Sequence, residues 1–455
     1  MTDSPHRSRR RSLPEGVRAT ARNLGWLMAS RGVIAVLSLV YLGVATRSLG
    51  VADFGRFALI TGAAQAIAVM VGFQTWQIVV RYGVDHVAAD DEVKLGRLLR
   101  LCVLLDCASA VVGGIVSTII LEIWGDSFGI TRDLLLATIG FVFIELITIR
   151  STPVGILRLR DKFSLAALAD STTPVMRFLG AIAAALLMPT VTGFLIAWAV
   201  AEVATSGTYW LMVMRTGDLA LVGRGRGRGV FRENAGLVRF MLSTNATSTL
   251  GLSTKQAPLL LVGGYVGPAA AGAFRLAFQI AQALAKLSQL LSRAAFPEIV
   301  RAVRTPKARN VSRMIVRVFL VSAAAALVIL AIVAALGHPL LLLVGGKDFR
   351  YGRTVMLWLA AAGCVDLATV SFEPVLMAAH RAGTALAARV VAAVALIGVS
   401  LYLLPRYGTS GAGMGVMAGS ATAALLLGWA VIRYVRSERD EGPASGPGQA
   451  RAGSG

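Results

Sequence analysis

A chain of 455 residues that is 56% hydrophobic and only 15% charged, with a mean hydropathy of +0.70, has too little polar surface to cover a water-soluble globule. Lipid must therefore be its solvent. The net charge of +21 sits mainly in the polar segments between apolar ones, where it serves as a topology signal and as contact with anionic headgroups, so nucleic acid is not an expected partner.

Residues 1–22 carry Arg7, Arg9, Arg10, Arg11, Arg18 and Arg22 with no apolar run ahead of them, which reads as a basic cytoplasmic tail and not a signal peptide. Apolar stretches long enough to cross a hydrocarbon core as helix then follow near 24–46, 54–80, 98–122, 133–157, 164–187 and 192–214. A linker at 215–236, rich in Arg and Gly and expected to be flexible, separates these from a second set near 237–262, 271–296, 314–337, 353–379, 384–404 and 411–433. The expected fold is all-α and polytopic, with about twelve transmembrane helices in two six-helix lobes, 23–214 and 237–433, and a disordered tail over 434–455. Basic clusters in the tail, at 215–239 and at 297–317 place both termini in the cytoplasm of a bacterial cell. Three cysteines and four histidines are scattered, so neither a disulfide framework nor a metal site is expected, and no cofactor is.

The two lobes repeat each other. Leu49-Gly50, Gly55, Phe57 and Leu59 recur at a constant offset as Val266-Gly267, Gly272, Phe274 and Leu276. Deeper in each lobe, Glu145-Leu146, Thr148 and Pro153-Val154 recur as Asp366-Leu367, Thr369 and Pro374-Val375, and Pro189 and Gly193 are echoed by Pro405 and Gly411. An even-numbered repeat puts the pseudo-symmetry axis along the membrane normal and a substrate path between the lobes near the midplane. Pro153, Pro174 and Pro374 should kink their helices.

Charge at bilayer depth costs at least about 2.5 to 3.5 kcal/mol per group, so such groups should face a cavity or a partner. On the eighth helix, Arg275, Gln279, Gln282, Lys286, Gln289 and Arg293 alternate at spacings of four and three, which makes one polar stripe about 27 Å long. Asn245, Ser248 and Lys255 share a face of the seventh helix, and the first lobe adds Arg31, Arg150 and Arg177, with Gln65 as the repeat-equivalent of Gln282. Packing against carboxylates elsewhere, or snorkelling of Arg275 and Arg293 to headgroups, is the structural alternative. Asp106, Glu145, Asp170, Glu202, Asp366 and Glu373 oppose these cations. Two readings of them stay open: structural partners, as for Asp170 with Arg177 and Glu145 with Arg150, or groups that couple transport to protons. Asp53 beside Arg56 is either a gate contact or a helix N-cap. A polar, net-cationic path follows, and with it an anionic cargo.

Asn23-Leu24-Gly25-Trp26 leading to Arg31, then Tyr41-Leu42, Ala45-Thr46-Arg47, Leu49-Gly50, Asp53-Phe54-Gly55 and Phe57-Ala58, resembles the opening of Wzx-type polysaccharide flippases. These belong to the multidrug/oligosaccharidyl-lipid/polysaccharide exporter superfamily, and Pro297-Glu298 and the Gly408, Gly411 turn look similar too. The resemblance implies a two-lobed inner-membrane transporter with no catalytic role. It would move a polyprenyl-diphosphate-linked oligosaccharide to the external leaflet, where a polymerase or export machinery takes it, with the prenyl tail left among membrane lipids. It also implies a cationic central cavity to which Arg31 corresponds by position. Three rivals are weighed against it. A drug exporter of the same superfamily would present unpaired carboxylates in an apolar cavity, a lipid II flippase commonly carries extra C-terminal helices, and a membrane glycosyltransferase would need a large external loop with an acid and a base. The longest external connection here, around Gly345-Gly346-Lys347-Asp348, spans only about 15 residues and offers no such pair.

Overall fold

In a computed structural model, residues 15–125, 129–224, 229–284, 311–349, 352–379 and 381–440 are described. The first rod is the part of α1 (Glu15–Val71) that precedes Gly50, where the chain turns back on itself; the remainder of α1 continues into α2 (Thr75–Ala88) as the second rod. Then come α3 (Glu92–Trp124), α4 (Arg132–Ile147) continued by α5 (Ser151–Leu159), α6 (Phe163–Leu187) and α7 (Val191–Thr216). Two short helices, α8 (Leu219–Arg224) and α9 (Val230–Glu233), lead to the second lobe. It consists of α10 (Leu237–Lys255) continued by α11 (Ala257–Val266), α12 (268–284), α13 (Val311–Gly345), α14 (Gly352–Ala368) continued by α15 (Phe372–Ala378), α16 (Ala382–Tyr407) and α17 (Thr409–Asp440). Among the described residues each lobe thus has six rods, as expected from the sequence. The first helix starts inside the segment read as a tail, and the last runs to Asp440, past the expected end of order at 433.

Eight stretches of the described residues are long and apolar enough to cross a membrane, and the first of them, Leu37–Ala88, accounts for two rods. The rods α6, α10 with α11, and α12, of which 268–284 is described, carry Asp170 and Arg177, Asn245 and Lys255, and Arg275, Gln279 and Gln282, most of the candidate site.

The repeat is visible in the backbone. Gly50 (φ 72°, ψ 177°) and Gly267 (φ 105°, ψ 173°) adopt the same conformation, one essentially closed to residues with a Cβ. The fourth rod breaks at 148–150 and the tenth at 369–371, three residues ahead of Pro153 and Pro374. Proline has no N–H to give to the carbonyl four residues back and its ring crowds that carbonyl, so the helix must interrupt there. The freed Ile149 carbonyl accepts the Ser206 hydroxyl at 2.9 Å and the Trp210 indole N–H at 3.0 Å, both from α7. In hydrocarbon an unmet carbonyl is expensive, and these two donors make the break tolerable.

The lobes meet reciprocally at the end of the molecule that holds Gly50 and Gly267. A Cβ on Gly55 would overlap the Pro268 carbonyl oxygen, and one on Gly272 would lie 2.5 Å from the Val51 carbonyl oxygen. Residues 51 and 268 are themselves repeat mates, so the contact obeys the pseudo-twofold. Around it, Thr46 donates to the Val344 carbonyl at 2.9 Å and Arg47 to the Leu343 carbonyl, using acceptors that the C-terminus of α13 leaves free. Phe54 and Phe349 meet edge to face with centroids 6.0 Å apart. A single apolar core containing Phe54, Phe57, Phe194, Phe274 and Phe349 crosses both lobes here. Away from it lie two smaller cores: one around Leu98, Ile156 and Val213 is built mainly by the first lobe and takes in Leu237 and Met241 of α10, and another around Leu376 and Leu427 belongs to the second lobe.

The described ends of the segment between the lobes, 215–224 and 229–236, are docked on the first lobe; 225–228, the centre of the linker expected to be flexible, lies outside the described residues. Arg160 binds Asp218 at 2.7 Å, Arg97 binds Glu233 at 2.6 Å, His86 meets the Asn234 side chain at 3.0 Å and Tyr82 donates to the Ala235 carbonyl at 3.3 Å. Its arginines drew attention to charge, whereas its acids and amide do the anchoring. Gly55→Ala and Gly272→Ala should each cost about 1–3 kcal/mol by forcing two backbones apart. A lowered Tm of the detergent-extracted protein reads this directly, and Gly114→Ala, whose Cβ would meet nothing within 4 Å, should leave Tm unchanged.

Candidate functional site

Two broken rods face each other inside the first lobe. The second rod opens at 72–74 and the fourth at 148–150, and α2 and α5 begin beside the same carboxylate, Asp106 of α3. Asp106 is 8% exposed and accepts the Thr75 hydroxyl at 3.0 Å, the Thr152 hydroxyl at 2.6 Å and the Thr152 backbone N–H at 3.3 Å. A carboxylate here takes up N–H and hydroxyl donors that interrupted helices expose. The breaks enclose a cavity of about 300 Å³ lined by Gln65, Trp76, Asp106, Ser109, Glu145 and Arg150 among others.

Beside the cavity lies a second cluster, centred on Glu202 of α7, which is fully buried. Arg150 reaches one of its oxygens at 2.8 Å and Arg177 the other at 2.7 Å. Arg177 also lies 5.5 Å from the centre of the Trp198 ring, which packs with Tyr41 and Phe57. Glu145 stands 4.0 Å from Arg150.

Across the lobe interface, α12 is buried along its apolar sides: Phe274, Leu276, Ala277, Ile280, Ala281 and Ala283 are all shielded. Arg275 and Gln279 are half-buried and Gln282 is exposed, so the polar stripe faces open space. Gln65 is likewise exposed between buried Ala64 and Ala66, matching Gln282 between Ala281 and Ala283. Arg275 has no hydrogen bond or ion pair among the described residues, and the charged groups within its electrostatic reach are Arg177 and the Tyr41 hydroxyl.

A family model for polysaccharide biosynthesis proteins matches residues 20–303. The chain belongs to that family. The Escherichia coli (strain K12) inner membrane protein YghQ is 30% identical over 339 residues, 73% of this chain and 94% of that protein. Among solved structures, the lipid II flippase MurJ in an inward closed conformation aligns with a TM-score of 0.69 at 11% identity, covering 89% of this chain and 87% of that one. An inward-facing MATE transporter of the MOP superfamily aligns at 0.65 and 16% identity, over 90% of this chain and all of that one. At such identities the likeness speaks to the fold. Family and fold agree: this polysaccharide biosynthesis protein is a multi-pass membrane protein with the fold of the MATE transporters and of MurJ.

The residues singled out from the sequence separate into groups. Arg150 and Arg177 come together on Glu202; Glu145 stands 4.0 Å from Arg150, in line with the pairing the sequence suggested, whereas Arg177 meets Glu202 and not Asp170. Asp170 instead accepts the Tyr209 hydroxyl. Asn245 is not free for cargo: its amide donates to the Gly72 carbonyl at 2.7 Å and the Met70 carbonyl at 3.4 Å, covering the break in the second rod. Asp53 pairs with Arg56 within one turn, Glu373 with Arg389 at 2.9 Å, and Asp366 accepts the Ser420 hydroxyl at 3.1 Å. Lys255 is exposed beside the junction of α10 and α11, where buried Gln256 donates to Gln65 across the interface. Lys286 and Gln289 lie outside the described residues, as does the Arg31 side chain. Asp106 is the group sequence reasoning undervalued. Its signal was a carboxylate in a hydrophobic run with no basic residue within two turns on its C-terminal side.

Glu202→Ala would leave two guanidiniums facing each other without a counter-charge. The expected loss is about 3 kcal/mol, the lower end for a broken buried pair because both arginines are partly solvated. Arg177→Ala should lose less, since Arg150 still neutralises Glu202, and the order of the two Tm values checks this.

Proposed function

We propose that this protein flips a polyprenyl-diphosphate-linked oligosaccharide from the cytoplasmic to the external leaflet by alternating access between its lobes. The observation that carries the reading is the partly exposed polar stripe on α12, with Arg275 unpaired among the described residues and within electrostatic reach of Arg177. Arg177 is held by Glu202, and a diphosphate, which presents several charged oxygens to planar donors, gives Arg275 the partner it lacks. Gln65, Gln279 and Gln282 offer donors and acceptors to sugar hydroxyls, and Lys255 adds charge along the same lobe. Membership of a polysaccharide biosynthesis family supports a saccharide cargo.

With the basic N-terminal segment in the cytoplasm, the Gly55–Gly272 crossing is external and the molecule is closed there. Closure on the external side is what a state that accepts cargo from the inner leaflet requires. The 215–236 segment is then a cytoplasmic strap held to the first lobe. Asp53 and Arg56, next to the crossing, belong to the external gate, while Asp170, Asp366 and Glu373 hold helices together through Tyr209, Ser420 and Arg389. Lys286, Gln289 and Arg31 extend the cationic surface by their positions in the sequence.

Native mass spectrometry of the gently extracted protein tests the reading. Polyprenyl-diphosphate oligosaccharide should be retained, and Arg275→Ala should weaken retention on the order of tenfold. Retention of organic cations with no retention of the diphosphate lipid would overturn it in favour of drug export.

A further inference from the structure

A lipid-linked cargo has three parts, an apolar tail, a diphosphate and a glycan, and the cavity in the first lobe suits one of them. Its walls combine apolar groups, Phe73 and Leu146 among them, with the polar Gln65, Glu145 and Arg150. A prenyl tail there would press hydrocarbon onto the Asp106 and Glu145 carboxylates, and a diphosphate would be repelled by them. A sugar ring brings hydroxyls that donate to a carboxylate and C–H faces that lie against apolar side chains. At about 300 Å³ the space is at the small end of ligand pockets, which fits one ring and not a chain of them.

Two side chains of the lining have hydrogen-bonding capacity left over. Glu145 is 11% exposed, its carboxylate takes no hydrogen bond among the described residues, and its nearest guanidinium nitrogen, from Arg150, stands 4.0 Å away. A charge left in that state at membrane depth is costly, and donors from a ligand would relieve it. Asp106, by contrast, is already filled by Thr75 and Thr152 at the helix starts. Gln65 is the second. Its carbonyl oxygen accepts the amide of Gln256, a second-lobe residue that is 5% exposed, so the NH2 group is what Gln65 has to offer. We propose, building on the diphosphate-lipid cargo, that this cavity is a saccharide subsite: it takes one neutral sugar ring of the glycan, with Glu145 accepting from its hydroxyls and Gln65 donating to one of its oxygens. Gln256 is a positioning residue, since it holds Gln65 by the acceptor end and leaves the donor end free. It does so from the other lobe, on a seam where Leu259 packs on Gly62 and Gly263 on Leu59, so the donor is set only while that seam is closed.

Native mass spectrometry of the full-length protein compares two probes, a bare polyprenyl diphosphate and the same lipid carrying a neutral hexose oligosaccharide. The wild type should retain the glycosylated lipid on the order of tenfold more tightly than the bare one. Glu145→Gln keeps the shape of the side chain and removes no hydrogen bond seen in the structure, so Tm should hold while most of that margin disappears and the bare lipid is retained no more weakly. Gln256→Leu, with Gln65 intact, should narrow the margin by about threefold. A merely structural role for either residue would weaken both lipids alike. Equal retention of the two lipids by the wild type, or a margin that survives Glu145→Gln, overturns the subsite and leaves the flippase reading standing. Retention of neither lipid overturns both.

Discussion

Two glycines carry the geometry on which the rest of the molecule depends. Gly55 and Gly272 let the second and eighth rods cross so closely that each glycine faces the carbonyl of the other lobe's turn. Backbone-to-backbone approach of this kind is available only where no side chain intervenes, and in lipid it supplies the packing that hydrophobic exclusion between helices cannot. The crossing also sets the level at which the lobes pivot. On its near side Thr46 and Arg47 close onto the end of α13, and beyond it the shared core gives way to two smaller ones, of which the one around Leu376 and Leu427 stays within a single lobe. A change in the angle between lobes must be absorbed at this point.

Interrupted helices are the second constraint. A membrane accepts a broken helix only when the freed groups find partners inside the protein. Here both breaks of the first lobe are answered from other helices: Ile149 by Ser206 and Trp210, Gly72 by Asn245, and the starts of α2 and α5 by Asp106. Polar residues that would otherwise suggest cargo contacts are thus engaged in holding backbone. Asn245 is the clearest instance, since its amide joins the seventh rod to the second and cannot simultaneously serve a ligand in this state.

The spacing of residues along one helix made the face legible but not the partner. Asp170 and Arg177 are seven apart and do share a face of α6, yet two turns of helix separate them by about 10 Å. Each instead meets the residue level with it on the antiparallel neighbour α7, Tyr209 for Asp170 and Glu202 for Arg177, with Thr173 and Thr205 in the same register at 2.9 Å. Repeats were readable because backbone needs recur with the fold: glycine where φ is positive, proline where a rod must break. The prominence of Glu202 was not, because a hub reached from positions 25 and 52 residues away leaves no periodic trace.

The same contrast explains how a duplicated scaffold can act asymmetrically. Gln65 and Gln282 are repeat mates with the same exposure, as the offset shared by Gly50 and Gly267 requires. Arg275 breaks the rule, since its mate at that offset is Ala58, buried in the shared core. Among the described residues, unpaired positive charge therefore stands in the second lobe with no counterpart at the matching position of the first. An anion that settles beside Arg275 changes the energy of bringing the lobes together, so cargo can bias their arrangement from one side. The scaffold supplies two equivalent halves, and charge placed on unlike positions gives them different work.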